Sequence, residues 1–161
     1  MQKMNWKFVE LYKEIYSMES IILLDVDKKT KSDVIEYVAT KLHEHGKICD
    51  LKKYIEAVKE RELEITTGFG NGIAIPHGKT DAVSESCFAF AKLNSPVDWN
   101  SMDGKPVDML FLLAIPEKEA GTTHLRLLSK IAMAIMDEDF ILKLKEANTE
   151  EELQTIFETI K

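Results

Sequence analysis

Residues 107–115 read Val-Asp-Met-Leu-Phe-Leu-Leu-Ala-Ile, apolar at every position except Asp108. Pro106 and Pro116 bracket the run. A strand with one wet face alternates polar and apolar residues. An unbroken apolar run of this length is a strand that needs cover on both faces. It therefore demands a layered fold, with helices packed against both sides of a sheet. It is also far too short to span a bilayer.

The rest of the chain supplies those layers. Residues 6–16 place Phe8, Leu11, Tyr12 and Ile15 at helical spacing, and residues 21–24 form a short aliphatic strand. Residues 32–45 put Val34, Val38 and Leu42 on one helical face, with Gly46 as a stop. Asp50 suits the cap of a further helix that buries Leu51, Tyr54, Ile55 and Val58. Residues 73–75 and 87–93 read as strands, with Pro96, Pro106 and Pro116 acting as breakers. The last third returns to helix: residues 123–136 through Leu125, Leu128, Ile131 and Ile135, then 139–147 through Phe140, Ile141 and Leu144. Thr149 and Glu152 make a capping box ahead of Leu153, Ile156, Phe157 and Ile160. The expectation is an α/β fold, a single-domain layered sandwich over residues 1–161 with a mixed β-sheet flanked by α-helices. Residues 1–20 would add an extra N-terminal helix.

A length of 161 residues at 45% hydrophobic content is enough for one proper core. The formal net charge of -7 opposes nucleic-acid binding, which needs a cationic surface, and suits a basic protein partner. Cys49 and Cys87 form no CxxC pair, so a disulfide framework is not expected and a reducing cytoplasm fits. The first residues lack the apolar core of a signal peptide. These features predict a cytoplasmic protein without direct membrane insertion.

The chemistry concentrates in Thr66-Thr-Gly-Phe-Gly-Asn-Gly-Ile-Ala-Ile-Pro-His-Gly-Lys-Thr-Asp81. A glycine-rich bend leads into a short apolar run, Pro76 ends it, and His77 stands at the exit. Gly78-Lys79-Thr80 looks like the end of a phosphate-binding P-loop, but Ile73 occupies the required first glycine. Ile73 also stands where a dinucleotide fingerprint needs its third glycine. His43 and His45 lie two apart on a helix, so they point to different faces. His77 and His124 could join Asp81 or Cys87 around zinc, but no paired ligand spacing supports this. There is no GxSxG, and Cys87 sits in a strand pattern as core.

His77 itself can act as a nucleophile. Neutral imidazole carries a lone pair at physiological pH and can accept and release a phosphoryl group. Such a site needs a bond that fixes the ring tautomer, donors for the phosphoryl oxygens, and access for a second protein. Arg61, the amides of the glycine-rich bend, and His124 at a helix start are the candidate donors. The alternative is that His77 is a turn residue after proline.

Arg61-Glu62 and Thr67-Gly-Phe-Gly-Asn-Gly-Ile-Ala-Ile-Pro-His-Gly78 resemble the active-site signature of the fructose/mannitol-type IIA components of the phosphoenolpyruvate-dependent sugar phosphotransferase system. Pro96-Val-Asp-Trp99 with Asp103-Gly-Lys-Pro106, Leu110-Phe-Leu-Leu-Ala-Ile-Pro116 and His124-Leu-Arg-Leu-Leu128 extend the likeness from about Ile21 to the C-terminus. The resemblance implies that His77 is the phosphoryl acceptor, at Nε2, receiving from the phosphocarrier protein HPr and passing to a cysteine of a IIB component. It implies that His124 stabilises the phosphoryl group and that Arg61 neutralises its charge. It implies no metal or organic cofactor, since donor and acceptor are proteins. Phe69 and Ile73 would offer an apolar docking rim, with acidic residues steering a basic partner. Thr123 departs from the glutamate often found before the second histidine. Two uses stay open: a sugar-uptake relay, with fructose-like substrates favoured, and a regulatory binding module of the nitrogen-related branch.

Overall fold

The computed structural model describes residues 19–119, 129 and 131–158. The helix expected at 6–16, His124 and most of the helix expected at 123–136 lie outside those residues.

Among the described residues six strands form one mixed sheet. They are β1 (Glu19–Val26), β2 (Gly68–Gly70), β3 (Ile73–Ala74), β4 (His77–Thr80), β5 (Cys87–Val97) and β6 (Val107–Pro116). Four helices frame it: α1 (Lys31–Glu44), α2 (Leu51–Glu64), α3 (Glu138–Glu146) and α4 (Glu150–Glu158), with residues 131–134 also helical. The strand order is β1-β5-β6-β3-β2, and β4 also pairs with β6. The α/β sandwich read from the sequence is the fold observed.

The apolar run is the central strand. β6 pairs antiparallel with β5 along one edge and parallel with β3 and β4 along the other. Its side chains alternate between two cores, as strand geometry requires. Leu110, Leu112 and Ala114 face one core with α1 and α2, while Met109, Phe111, Leu113 and Ile115 face the other with α3 and α4. β5 sorts by size. Ala89 and Ala91 lie on the α1/α2 side, while Phe88 and Phe90 lie on the opposite side. Phe111 packs between those two rings, at centroid distances of 6.1 and 5.0 Å.

The caps explain where helices start and stop. Thr30 accepts from Asp33 N, Asp50 from Lys53 N, and Asp137 from the amides of Asp139 and Phe140. Thr149 Oγ1 accepts from Glu152 N, as the capping box requires, but Glu152 Oε2 reaches Asn148 N. Gly46 follows α1 with φ 77°, the left-handed stop expected of it.

Two expectations need correction. Pro96 does not end β5: the strand continues to Val97, which pairs with Val107. The pairing skips between Lys92 and Val97, so exposed Pro96 sits in a bulge where no ladder amide is required. Residues 68–70 and 77–80 are short strands rather than bend and turn.

Candidate functional site

β3 and β4 are two halves of one strand line. Ile73 pairs with Met109, Ala74 with Leu110, His77 with Leu113 and Gly78 with Ala114, a constant offset along β6. The ladder is interrupted at Ile75 and Pro76, because proline has no N–H to give. Leu113 N still donates to Pro76 O at 2.9 Å, and Ile75 N turns to Thr67 O at 3.0 Å. The carbonyl of Ile75 is taken up by the histidine: His77 Nδ1 lies 2.9 Å from it. A carbonyl only accepts, so Nδ1 carries the proton and Nε2 is the basic nitrogen of the neutral ring.

His77 is buried, with 6% of its surface exposed, so a partner would meet an edge of the residue rather than an open ring. Burial pushes its pKa below the ordinary histidine value, and the Arg61 charge pushes the same way. The Ile75 carbonyl and Glu64 oppose them. Arg61 therefore stands within electrostatic reach of the ring. Its Nη1 donates to Ile65 O at 2.9 Å, which orients the guanidinium at the end of α2.

α2 approaches β4 directly. A Cβ on Gly78 would come within 2.8 Å of Val58 Cγ2 and 3.2 Å of Val58 N, so only glycine lets helix and strand sit this close. Fully buried Tyr54 donates its hydroxyl to Leu113 O at 2.8 Å, opposite His77 in the register.

The glycine-rich segment is a tight hairpin. Gly70, Asn71 and Gly72 all have positive φ, at 122°, 57° and 82°. Asp103 pins its tip: Oδ2 accepts from Asn71 N and Oδ1 from Lys105 N, both at 3.0 Å. Those two amides hold the Asp103 carboxyl below the usual range. Three amides of the segment expected to cradle phosphoryl oxygens are engaged internally. Gly68 N donates to Thr66 Oγ1, Asn71 N to Asp103, and Ile75 N to Thr67 O.

The expected docking rim also changes. Ile73 is fully buried in the core beneath α3 and α4, and Phe69 is half-buried against it. Among the exposed large apolar residues, Leu63 (86%), Ile65 (61%) and Met102 (70%) belong to the segments next to the glycine-rich hairpin and Arg61, whereas Met133, Met136 and Leu142 belong to the C-terminal third. Leu63 and Ile65 flank the end of α2 near Arg61, and Met102 N donates to Gly68 O at 3.1 Å.

Sequence reasoning assigned no role to Glu62. Its side chain is 6% exposed and accepts from four donors. Oε1 takes Thr67 Oγ1 and Trp99 Nε1, while Oε2 takes Lys31 Nζ at 3.1 Å and Thr67 N at 3.3 Å. Lys31 and Trp99 are 31 and 37 residues away in the chain, so no local pattern could reveal the cluster. His43, His45 and Cys87 behave as structure. His43 Nδ1 donates to Ile48 O and His45 Nδ1 to Lys41 O at the end of α1. Cys87 is core, and burial pushes its thiol up to about 11.

The profile of the phosphoenolpyruvate-dependent sugar phosphotransferase system EIIA 2 family matches residues 14–160. The chain belongs to this family. It is 38% identical over 136 residues to a fructose-specific EIIA component of Haloferax volcanii, covering 84% of this chain and 88% of that one. It is 39% identical over 125 residues to the 2-O-alpha-mannosyl-D-glycerate-specific EIIABC component of Escherichia coli K12, covering 77% of this chain. The chain spans only about a fifth of the length of such EIIABC relatives. Among solved structures, the nitrogen regulatory protein IIA-Ntr of Neisseria meningitidis superposes with a TM-score of 0.78 at 32% identity, covering 84% of this chain and 92% of that one. Among the described residues of this chain no helix is long and apolar enough to cross a membrane.

Proposed function

We propose that this EIIA 2 chain is a phosphoryl carrier, with His77 taking the group at Nε2 from HPr and passing it to a IIB component. The observation that supports this most is the bond from His77 Nδ1 to Ile75 O. It fixes the tautomer whose Nε2 lone pair can attack, and Arg61 adds positive charge within reach. In the transfer, the P–N bond of the donor phosphohistidine breaks as the Nε2–P bond forms. The Nδ1 proton stays where it is, and the Ile75 carbonyl offsets the positive charge the phosphorylated ring acquires. The chemistry asks little of the protein beyond alignment and charge neutralisation. Arg61 neutralises charge on the phosphoryl oxygens, and His124, by sequence resemblance, is a second stabilising neighbour. Leu63, Ile65 and Met102 replace the expected rim as the apolar surface that a carrier protein would meet. The whole chain, residues 1–161, acts as a single IIA domain without a cofactor, in the cytoplasm.

Incubation with phosphoenolpyruvate, enzyme I and HPr tests this. Wild-type protein should gain acid-labile phosphate and His77→Ala should gain none; labelling of the variant overturns the assignment.

The likeness to IIA-Ntr favours a second reading, a regulatory module whose phosphorylation state controls partner proteins. Phosphate passing to a purified IIB component supports the uptake relay. Capture of a regulator by the unphosphorylated form alone supports the second.

A further inference from the structure

We infer that Glu62 is a positioning residue for His77, acting through Thr67 and Ile75; its consequence for transfer rests on the acceptor role proposed for His77. The path is continuous. Glu62 on α2 receives both the amide and the hydroxyl of Thr67. Thr67 O receives Ile75 N at 3.0 Å, which fixes the Ile75 backbone at the one place where the β3–β4 line leaves the ladder. Ile75 O receives His77 Nδ1. The orientation of the imidazole is thus referred back, through two backbone segments, to a carboxylate on the helix that also carries Arg61.

The chemistry of the cluster requires a carboxylate. All the groups facing Glu62 are donors: an indole N–H, a hydroxyl, a backbone N–H and an ammonium. Two donors converge on each oxygen. An ionised carboxylate is acceptor-only and satisfies all of them, whereas an amide must turn its NH2 toward one pair. Trp99 Nε1 also donates to Thr67 Oγ1 at 3.2 Å, and Thr66 Oγ1 donates to Trp99 O at 2.8 Å, so the segment is held from both sides. The Lys31 ammonium stands over the Trp99 ring, 5.6 Å from its centroid, and pairs with Glu62 from the start of α1. Glu62 therefore ties α1, α2 and the Trp99 segment to the β3–β4 line that carries His77.

The test is nitrogen-15 NMR of the His77 ring in Glu62→Gln, alongside steady-state transfer from phosphorylated HPr. The wild-type ring should show the shifts of a fixed Nδ1–H tautomer. In the variant the two nitrogens should move toward a common average. Its kcat should fall about ten- to a hundredfold with KM for HPr unchanged, the scale at which misplacement of reacting groups acts. A merely structural glutamate would lower the melting temperature and leave the tautomer alone. A folded Glu62→Gln protein with wild-type ring shifts and kcat overturns the inference. Should that variant fail to fold, Thr67→Val carries the same criteria, with Thr67→Ser expected to restore the wild-type signature. Should wild-type His77 accept no phosphate, the acceptor reading fails, while the ring shifts still decide whether Glu62 positions the imidazole.

Discussion

At the scale of the residue, His77 is a buried imidazole whose position and proton are both set by backbone. Burial lowers its pKa below 6.5, so the neutral nucleophilic form is held at neutral pH. As the pH falls, the unfolded chain takes up the proton first. The His77 contribution to stability is therefore complete above about 6.5 and declines as the pH drops toward the folded-state value. An NMR titration of the ring should give a midpoint below 6.5; a midpoint at or above that value contradicts the burial account. Gly78 is the other residue on which the site depends. Gly78→Ala drives a methyl against Val58 Cγ2 and the Val58 backbone nitrogen. Because backbone cannot give way as a side-chain tip can, the substitution should cost about 1–3 kcal/mol in a denaturant melt. A loss of a few tenths would show that α2 moves off the sheet freely.

At the scale of the element, the β2–β3 hairpin is held by Asp103, whose carboxyl accepts from Asn71 N and Lys105 N. Its folded pKa is depressed, so the stability it contributes is present above the unfolded value and is lost as the pH falls through the folded one. Asp103→Asn should flatten the stability profile below about pH 4, measured by denaturant melts across pH; an unchanged acid limb contradicts the clamp. Helices α1 and α2 were legible in the sequence because their apolar residues recur at helical spacing and Asp50 announces a cap. β6 was legible because its apolar run leaves no wet face. β2 and β4 were not, since Gly68, Gly70 and Gly78 carry no side chain to show a period, and Lys79 is the one exposed residue of β4. The same limit misplaced Ile73. Next to glycines it looked like an exposed rim, yet its pairing with Met109 puts it inside the sheet. His77 and Arg61 were visible as chemistry, whereas the cluster around Glu62 exists only once distant segments meet.

At the scale of the whole molecule, the sheet divides two cores, and Phe111 anchors the one on the His77 side of the strand alternation. Phe111→Ala should cost about 3–5 kcal/mol, read from thermal or denaturant unfolding, because it removes a buried ring packed against Phe88 and Phe90 and leaves a cavity. The opposite core, with its small residues Ala89, Ala91 and Ala114, lets α1 and α2 approach closely and so brings Arg61 and Glu62 to the active strand. The chain belongs to the EIIA 2 family, and the central proposal is that His77 Nε2 is where the phosphoryl group rests. The most direct measurement is phosphorus- and nitrogen-resolved NMR of the chain after phosphorylation by HPr. One phosphorus should couple to Nε2 of His77, with Nδ1 still protonated toward Ile75 O. Phosphorus bonded to Nδ1, or to any residue other than His77, would contradict the account.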